Sequence, residues 1–133
     1  MQLIEARGAP WDLRAAGDPR TYADLVTPSG LDDIASYADA IGPPKDLVIT
    51  RDAAGRLAAP TGLVQAAHAR GLAVHAWTFR AENEFLPADF RSSTDPAGQG
   101  DLAGELRAFL ATGLDGVFAD HPDVAVALRT ACS

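Results

Sequence analysis

The sequence predicts an α/β fold in which parallel strands are joined by helices. Short apolar segments alternate with segments that carry helix caps and an apolar face, in the order βαβαβαβα, which is typical of a parallel sheet. The predicted helix-to-strand links are short and contain Gly71 and Gly113, whereas long polar loops follow the strands. In α/β folds ligands bind at the loops that follow the carboxyl ends of strands, so we expect a site at that end of the sheet.

The composition indicates one globular domain without a nucleic-acid partner or a membrane span. With 133 residues the chain can bury about two thirds of its unfolded surface, and 47% of its residues are hydrophobic. The net charge of -7 argues against nucleic acid, because binding to a phosphate backbone needs clustered Lys and Arg. The single cysteine, Cys132, provides neither an intrachain disulfide nor a Cys/His metal cluster. No apolar run approaches the roughly 18 residues that a membrane helix needs.

The chain opens on an apolar strand over residues 1–6, which predicts that it begins inside a larger domain. Residues 7–27 form a long polar loop, rich in Gly, Pro, Asp and Arg, of the kind that is usually functional. A helix follows over residues 27–38, with Thr27 or Ser29 as its N-cap and apolar side chains along one face.

The second strand covers residues 38–43 and is stopped by a Gly-Pro-Pro sequence. Lys45, directly after it, is placed either to approach a phosphate or to lie in solvent. Residues 46–50 are predicted as a short helix or an extended turn, and residues 51–60 as a surface connection.

The second half of the chain repeats the alternation of helix and strand. Thr61 is the predicted N-cap of the second helix, and Asp101 lies near the start of the third. The predicted elements are helices over residues 61–71, 100–113 and 121–131, strands over residues 72–77 and 114–120, and a long loop over residues 81–100.

Polar side chains follow the strand over residues 72–77, where Trp77, Thr78 and Arg80 end an apolar segment. Trp77 either packs beneath the loop as a core aromatic or lines the mouth of a pocket. Arg80 is either solvated or binds an anion, since its guanidinium group can donate two parallel hydrogen bonds to a phosphate. The residues by themselves leave both interpretations open.

The three histidines differ in their expected roles. His75 lies within an apolar strand and is predicted as a core residue, and His68 lies in a helix and is predicted on the surface. His121 follows the last strand and precedes a helix N-terminus, so it is the better candidate for contact with a ligand. Asp120, beside it, is interpreted as the cap of that helix rather than as a catalytic carboxylate.

Three segments, taken together, resemble the C-terminal half of glycerophosphodiester phosphodiesterases. They are "YADAIGPPKDLVI" (37–49), "GLAVHAWTFRAEN" (71–83) and "GLDGVFADHPDVAVALR" (113–129). The resemblance runs over almost the whole chain and is closest to the exported bacterial branch, in which an aromatic-Thr-x-Arg sequence ends the penultimate barrel strand. It implies a (β/α)8 TIM barrel to which residues 1–133 contribute about the last four βα units, a half-barrel.

The resemblance also implies an activity, the hydrolysis of glycerophosphodiesters to an alcohol and glycerol 3-phosphate. In this family a divalent cation, often Ca²⁺ or Mg²⁺, polarises the phosphate, and histidines act as general acid and base. The family's His-Arg-Gly and Glu-x-Asp motifs belong to the other half of the barrel, so this chain is expected to contain no catalytic residue and no metal ligand. Only substrate-binding positions carry over, and these are Trp77, Thr78, Arg80 and His121, the last at a position where the family usually has an aromatic residue.

The expected partner is the missing N-terminal half-barrel or a second copy of this chain, because unpaired sheet edges invite pairing. The exported branch suggests a periplasmic or extracellular location for the intact protein, although residues 1–13 lack a signal-peptide pattern. The alternative function is a noncatalytic α/β binding or interaction module with a degenerate anion site.

Overall fold

Six strands occur within residues 1–131, the part of the chain that this computed structural model describes. They are β1 (Gln2–Leu3), β2 (Ala40–Gly42), β3 (Ile49–Arg51), β4 (Leu57–Pro60), β5 (Ala73–Phe79) and β6 (Gly116–Ala119). Strands β1, β2, β5 and β6 form a parallel sheet in that order, and β3 pairs with β4 as an antiparallel hairpin. The predicted α/β class and its parallel sheet are thus confirmed, and Cys132 lies outside the described residues.

Six α-helices lie in the same range. They are α1 (Trp11–Ala15), α2 (Tyr22–Leu25), α3 (Pro28–Ala35), α4 (Leu63–His68), α5 (Leu102–Leu110) and α6 (Pro122–Ala131). Thr27 caps α3 by accepting a hydrogen bond from the Gly30 N–H, and Asp101 caps α5 by accepting one from the Gly104 N–H, as predicted. None of the described helices is both long and apolar enough to cross a bilayer.

The connecting helices cover one face of the parallel sheet. Consecutive strands of this sheet are neighbours, and right-handed crossovers then place their connecting helices on the same side. The buried side chains on this side include Ile4, Ile41, Val74, Ala76 and Phe79 from the sheet region, and Ile34, Val64, Ala67, Leu106 and Phe109 from the helices. Together they form one core, in which the rings of Phe79 and Phe109 meet edge to face at 5.1 Å.

The opposite side of the sheet, which we call the open face, carries Leu3, Gly42, His75, Gly116 and Phe118. Leu3 is 58% exposed and Phe118 is 46% exposed, although both are apolar strand residues. A Cβ atom on Gly42 would lie 2.8 Å from the Leu3 side chain, and one on Gly116 would lie 2.8 Å from the His75 ring. The two glycines therefore let neighbouring side chains lie flat across the sheet. His75, predicted as a core residue, is only half-buried here.

The predicted loop over residues 7–27 contains α1 and α2, so that prediction is wrong in part. Helix α2 is fixed at its start by Asp24, whose carboxylate accepts hydrogen bonds from the N–H and the hydroxyl group of Thr21, at 2.7 and 2.9 Å. Helices of four and five residues are too short to show a 3.6-residue apolar repeat, which is why the sequence pattern did not indicate them.

Residues 51–60, predicted as a surface connection, belong instead to the hairpin of β3 and β4. The Asp52 carboxylate shapes the turn by accepting hydrogen bonds from the N–H groups of Ala54 and Arg56, both at 2.9 Å. The segment can form a hairpin because the side chain of Asp52 accepts the hydrogen bonds of two turn N–H groups.

Gly62, with a φ angle of +84°, occupies the N-cap position of α4, so the prediction of Thr61 as the N-cap is wrong by one residue. The Thr61 hydroxyl group donates to the carbonyl oxygen of Leu47 at 2.6 Å and accepts a hydrogen bond from the N–H of Leu63, the first helical residue, at 3.3 Å. The threonine thus ties the hairpin region to the start of the helix.

Lys45 lies in the core, so the interpretation that it lies in solvent is wrong. It is 7% exposed, and its Nζ donates to Oε1 of Glu105, which is completely buried, at 2.6 Å. Burial lowers the pKa of the Lys45 ammonium group and raises the pKa of the Glu105 carboxyl, while the partner's charge opposes each shift. The pair joins the segment after β2 to the middle of α5 inside the core.

We expect this ion pair to be sensitive to loss of either partner. Lys45→Met or Glu105→Leu should each lower the free energy of unfolding by about 3–5 kcal/mol, because the remaining charge stays buried without compensation. The double variant should recover most of that loss, since apolar residues of similar volume remove both charges together. Urea denaturation followed by circular dichroism measures all three.

Asp32→Asn is the matched control for this experiment. It breaks the ion pair of Asp32 with Arg70, which is equally short at 2.6 Å but leaves the carboxylate 64% exposed, so its effect should stay below about 1 kcal/mol. The expectation is wrong if the single core variants behave like this control, or if the double variant loses the sum of the two single effects.

Candidate functional site

The carboxyl ends of β5 and β6 bring Arg80 and Asp120 together. The N–H of Asp120 donates to the Phe79 carbonyl oxygen at 3.0 Å, and Nε of Arg80 lies 2.9 Å from Oδ2 of Asp120. The prediction that Asp120 caps the last helix is therefore wrong, since α6 begins at Pro122 and the carboxylate pairs with Arg80. Parallel pairing causes this contact, because it places the residues that follow two adjacent strands side by side.

A bulge in β5 sets the side to which these residues point. Ala76 lies opposite Val117 and Phe79 lies opposite Ala119, so two residues of β5 face the single residue Phe118. The bulge interrupts the two-residue alternation of the strand, and Phe79 takes the buried side that Val74 and Ala76 also occupy. Arg80 then leaves the strand on the opposite side from the core.

The two residues of the bulge are the predicted site residues Trp77 and Thr78, which are joined by a cis peptide bond. The indole Nε1–H of Trp77 donates to the Gly42 carbonyl oxygen at 2.8 Å. The backbone N–H of Trp77 donates to the Pro43 carbonyl oxygen at 3.1 Å. Trp77 is half-buried, as is Thr78. The indole ring is thus fixed across the end of β2 and presents an apolar wall, because its one donor is already used.

Arg80 is held on two sides. Its guanidinium carbon lies 4.7 Å from the centre of the Phe85 ring, a distance at which a cation and an aromatic face attract each other. Asp120 approaches its Nε, and the Arg80 side chain remains 40% exposed. The arrangement keeps the cation in place at the surface without burying its charge.

The backbone of Phe85 is fixed by the core. Its carbonyl oxygen accepts hydrogen bonds from Nζ of Lys45 at 3.1 Å and from Nη2 of Arg51 at 2.8 Å. Because Lys45 is held by Glu105, the ring beneath Arg80 is connected to the buried ion pair. The sequence carried no signal for this role of Phe85, which depends on contacts between distant segments.

Asn83 organises the long loop after β5. Its side chain is 2% exposed, its Nδ2 donates to the Asp95 carbonyl oxygen at 2.9 Å, and its Oδ1 accepts from the Ser92 N–H at 3.0 Å. Its own backbone N–H donates to the Gly98 carbonyl oxygen at 2.8 Å. One asparagine therefore satisfies backbone groups on both arms of a loop that has little regular structure.

His121 lies directly after Asp120 and is half-buried. Its Nδ1 is buried and has no hydrogen-bond partner among residues 1–131. Its carbonyl oxygen accepts a hydrogen bond from the Val124 N–H at the start of α6. The fourth predicted site residue thus follows Asp120, the partner of Arg80, and one of its ring nitrogens is left unsatisfied by the described part of the chain.

A second histidine, His68, contacts the carboxylate of Asp115 at the amino ends of the strands, away from this site. His68 is exposed, as predicted, and its Nε2 lies 2.7 Å from Oδ2 of Asp115, which also accepts a hydrogen bond from the Val74 N–H. Burial raises the pKa of Asp115, but these two hydrogen bonds outweigh it and hold the pKa below its usual value. This contact links α4 to the two strands and has no connection to Arg80.

The described residues do not fit a divalent-cation site. Across residues 1–131 no group of three or more His, Cys, Asp or Glu side chains is arranged to hold a metal ion. Two grooves of the described part of the chain lie away from Arg80. One of about 510 Å³ flanks β1 beside Arg20 and Tyr37, and one of about 950 Å³ runs between α5, α6 and β6.

Known proteins resemble this chain over most of its length. The sequence model of the Glycerophosphoryl diester phosphodiesterase family matches residues 4–124. Glycerophosphodiester phosphodiesterase GDPD6 of Arabidopsis thaliana is 39% identical over 101 residues, which are 76% of this chain and 25% of that protein. The chain therefore spans about a quarter of the length of this curated relative.

We expect Asn83→Ala to loosen the loop that carries Phe85. The substitution leaves buried backbone groups without partners, which should lower the free energy of unfolding by about 1–3 kcal/mol and speed proteolysis between residues 90 and 100. Gln99→Ala is the matched control, because it shortens an amide of the same loop whose side chain makes no hydrogen bond within residues 1–131. Limited proteolysis with mass spectrometry distinguishes the two, and equal cleavage rates would contradict the role of Asn83.

Proposed function

This chain belongs to the glycerophosphoryl diester phosphodiesterase family, and on that premise we propose that the intact protein hydrolyses glycerophosphodiesters to an alcohol and glycerol 3-phosphate. The family match also confirms the resemblance of the three sequence segments. The observation that carries the proposal is the position of Arg80 beside Asp120 and after Trp77, at the carboxyl ends of two adjacent parallel strands. This is the end of the sheet at which α/β enzymes bind their substrates.

In this proposal the chain supplies substrate-binding groups. The indole of Trp77, fixed by its hydrogen bond to the Gly42 carbonyl, forms a wall for the glycerol or alcohol portion. The guanidinium group of Arg80 binds the phosphate, because it offers paired donors to two oxygens. Thr78 and His121 add a hydroxyl group and an imidazole nitrogen as further hydrogen-bonding groups for the substrate.

The catalytic histidines and the divalent cation, Ca²⁺ or Mg²⁺, would come from the other half of a TIM barrel. Three features support a half-barrel. The strands follow one another in sequence around the sheet, the helices lie on one side, and the open face exposes Leu3 and Phe118. Four strands leave β1 and β6 as edges, and a barrel requires these to pair with further strands.

We predict that the 133-residue chain alone does not hydrolyse glycerophosphocholine, with either Ca²⁺ or Mg²⁺ added. Release of glycerol 3-phosphate, measured by a coupled enzyme assay, should stay at the level of a blank without protein. Robust turnover that Trp77→Ala or His121→Ala abolishes would show that the catalytic groups lie within this chain. If activity appears when the N-terminal half of a family enzyme is added as a separate polypeptide, the division of roles is supported.

We also predict that the chain associates, either with such a half-barrel or with a second copy of itself. The exposed apolar side chains of the open face and the two free sheet edges favour pairing. Light scattering after size-exclusion chromatography should give about twice the chain mass of 13.9 kDa for the chain by itself.

The open face is tested by Phe118→Lys, which should shift the chain towards the monomer. Trp11→Lys is the control, since Trp11 is a more exposed aromatic residue, at 80%, in α1 rather than in the sheet. A wild-type chain that is entirely monomeric, or equal effects of the two substitutions, would contradict association through this face.

A further inference from the structure

We propose that Asp120 and Phe85 are positioning residues that hold the guanidinium group of Arg80 so that its two terminal amino groups face the phosphate of the substrate. The inference rests on the proposed function and adds two residues to its site. Neither residue was a predicted site residue, because Asp120 was interpreted as a helix cap and Phe85 carried no signal. Both act through Arg80 and neither contacts the reacting atoms.

The partners of Arg80 within residues 1–131 leave its two terminal amino groups unoccupied. Asp120 approaches Nε, on one edge of the planar group, and Phe85 lies against its face. Nη1 and Nη2 make no hydrogen bond to any residue in the described range 1–131. The two terminal amino groups carry four N–H groups in one plane, and this fork matches two oxygens of a phosphate.

Arg20 and Arg51 use both of their terminal amino groups within the protein, whereas among the described residues Arg91 donates only from its Nε. Arg20 places both on the carboxylates of Asp18 and Asp33, each at 2.9 Å. Arg51 donates from both to backbone carbonyl oxygens of the long loop. Arg80 has the same side-chain exposure as Arg20, 40%, and differs in leaving this edge of the fork unused.

The backbones of both residues that contact Arg80 are anchored to other segments. The backbone of Phe85 is anchored, because the Phe85 carbonyl oxygen accepts hydrogen bonds from Lys45 and Arg51. Asp120 is held by its backbone hydrogen bond to Phe79 in β5. Two anchored groups thus restrict a long flexible side chain before the substrate arrives, which removes part of the entropy cost of binding.

The test separates orientation from charge. Glycerol 3-phosphate is titrated into the full chain and its variants by isothermal calorimetry. Asp120→Ala should weaken binding by about five- to tenfold, the cost of ordering one long side chain on binding. Asp120→Asn should bind like the wild type or more tightly, because an amide oxygen still supports Nε while a competing negative charge is removed.

The aromatic contact is tested in parallel. Phe85→Leu should weaken binding by about two- to fivefold, since it removes the aromatic face but keeps an apolar side chain. Phe85→Tyr should bind like the wild type, because the ring is kept. Thermal melts show which variants are folded, and the Asn and Tyr variants keep the test decisive where Ala or Leu unfolds the chain.

Arg80→Ala and Arg20→Ala distinguish the inference from the proposed function. Loss of binding in Arg80→Ala but not in Arg20→Ala supports the phosphate site. If Arg80→Ala has no effect, or the wild type does not bind at millimolar concentration, the phosphate site of the proposed function is overturned and the inference with it. If Arg80→Ala abolishes binding but Asp120→Ala and Phe85→Leu leave it unchanged, or Asp120→Asn is as weak as Asp120→Ala, only the positioning role is overturned.

Discussion

The buried ion pair of Lys45 and Glu105 is the interaction on which the arrangement around the candidate site depends. It joins the segment after β2 to α5, and the same ammonium group donates to the carbonyl oxygen of Phe85 and lies 5.2 Å from the centre of the Phe79 ring. Bringing two charges into a core costs desolvation energy, and the pair offsets that cost only in its correct geometry. We therefore regard it as a constraint on arrangement rather than as a source of net stability.

From this pair a chain of contacts leads to the surface. Lys45 fixes the backbone of Phe85, the ring of Phe85 supports Arg80, and Arg80 meets Asp120 at the end of the neighbouring strand. The candidate site is thus connected to the core, although it lies on loops, which are usually the more variable parts of an α/β protein.

The family match and the geometry of the site support different statements about this chain. The family match establishes the family to which this chain belongs, and the chain covers about a quarter of the curated relative. In the proposed function, Trp77 and Arg80 have binding roles, and the acid–base and metal groups that break a phosphodiester bond are assigned to the other half of a barrel.

The sequence by itself determined the alternation of strands and helices, the caps at Thr27 and Asp101, and the end of the sheet at which a site should lie. These features are local, because they depend on apolar periodicity and on side chains that bond to their own backbone. Elements without such a signal were missed, namely the short α1 and α2 and the hairpin of β3 and β4.

Only the tertiary structure decided how the polar residues are used. Lys45 received its partners Glu105 and Phe85, and Asp120 its partner Arg80, from segments 40 or more residues away, and no local pattern encodes such pairs. The bulge at Trp77 and Thr78 reversed the side that a regular strand would have given Arg80. The side of the sheet that a residue takes after a bulge, and the distant charge with which it pairs, depend on how the chain packs. Both could be found only after the strands were placed side by side.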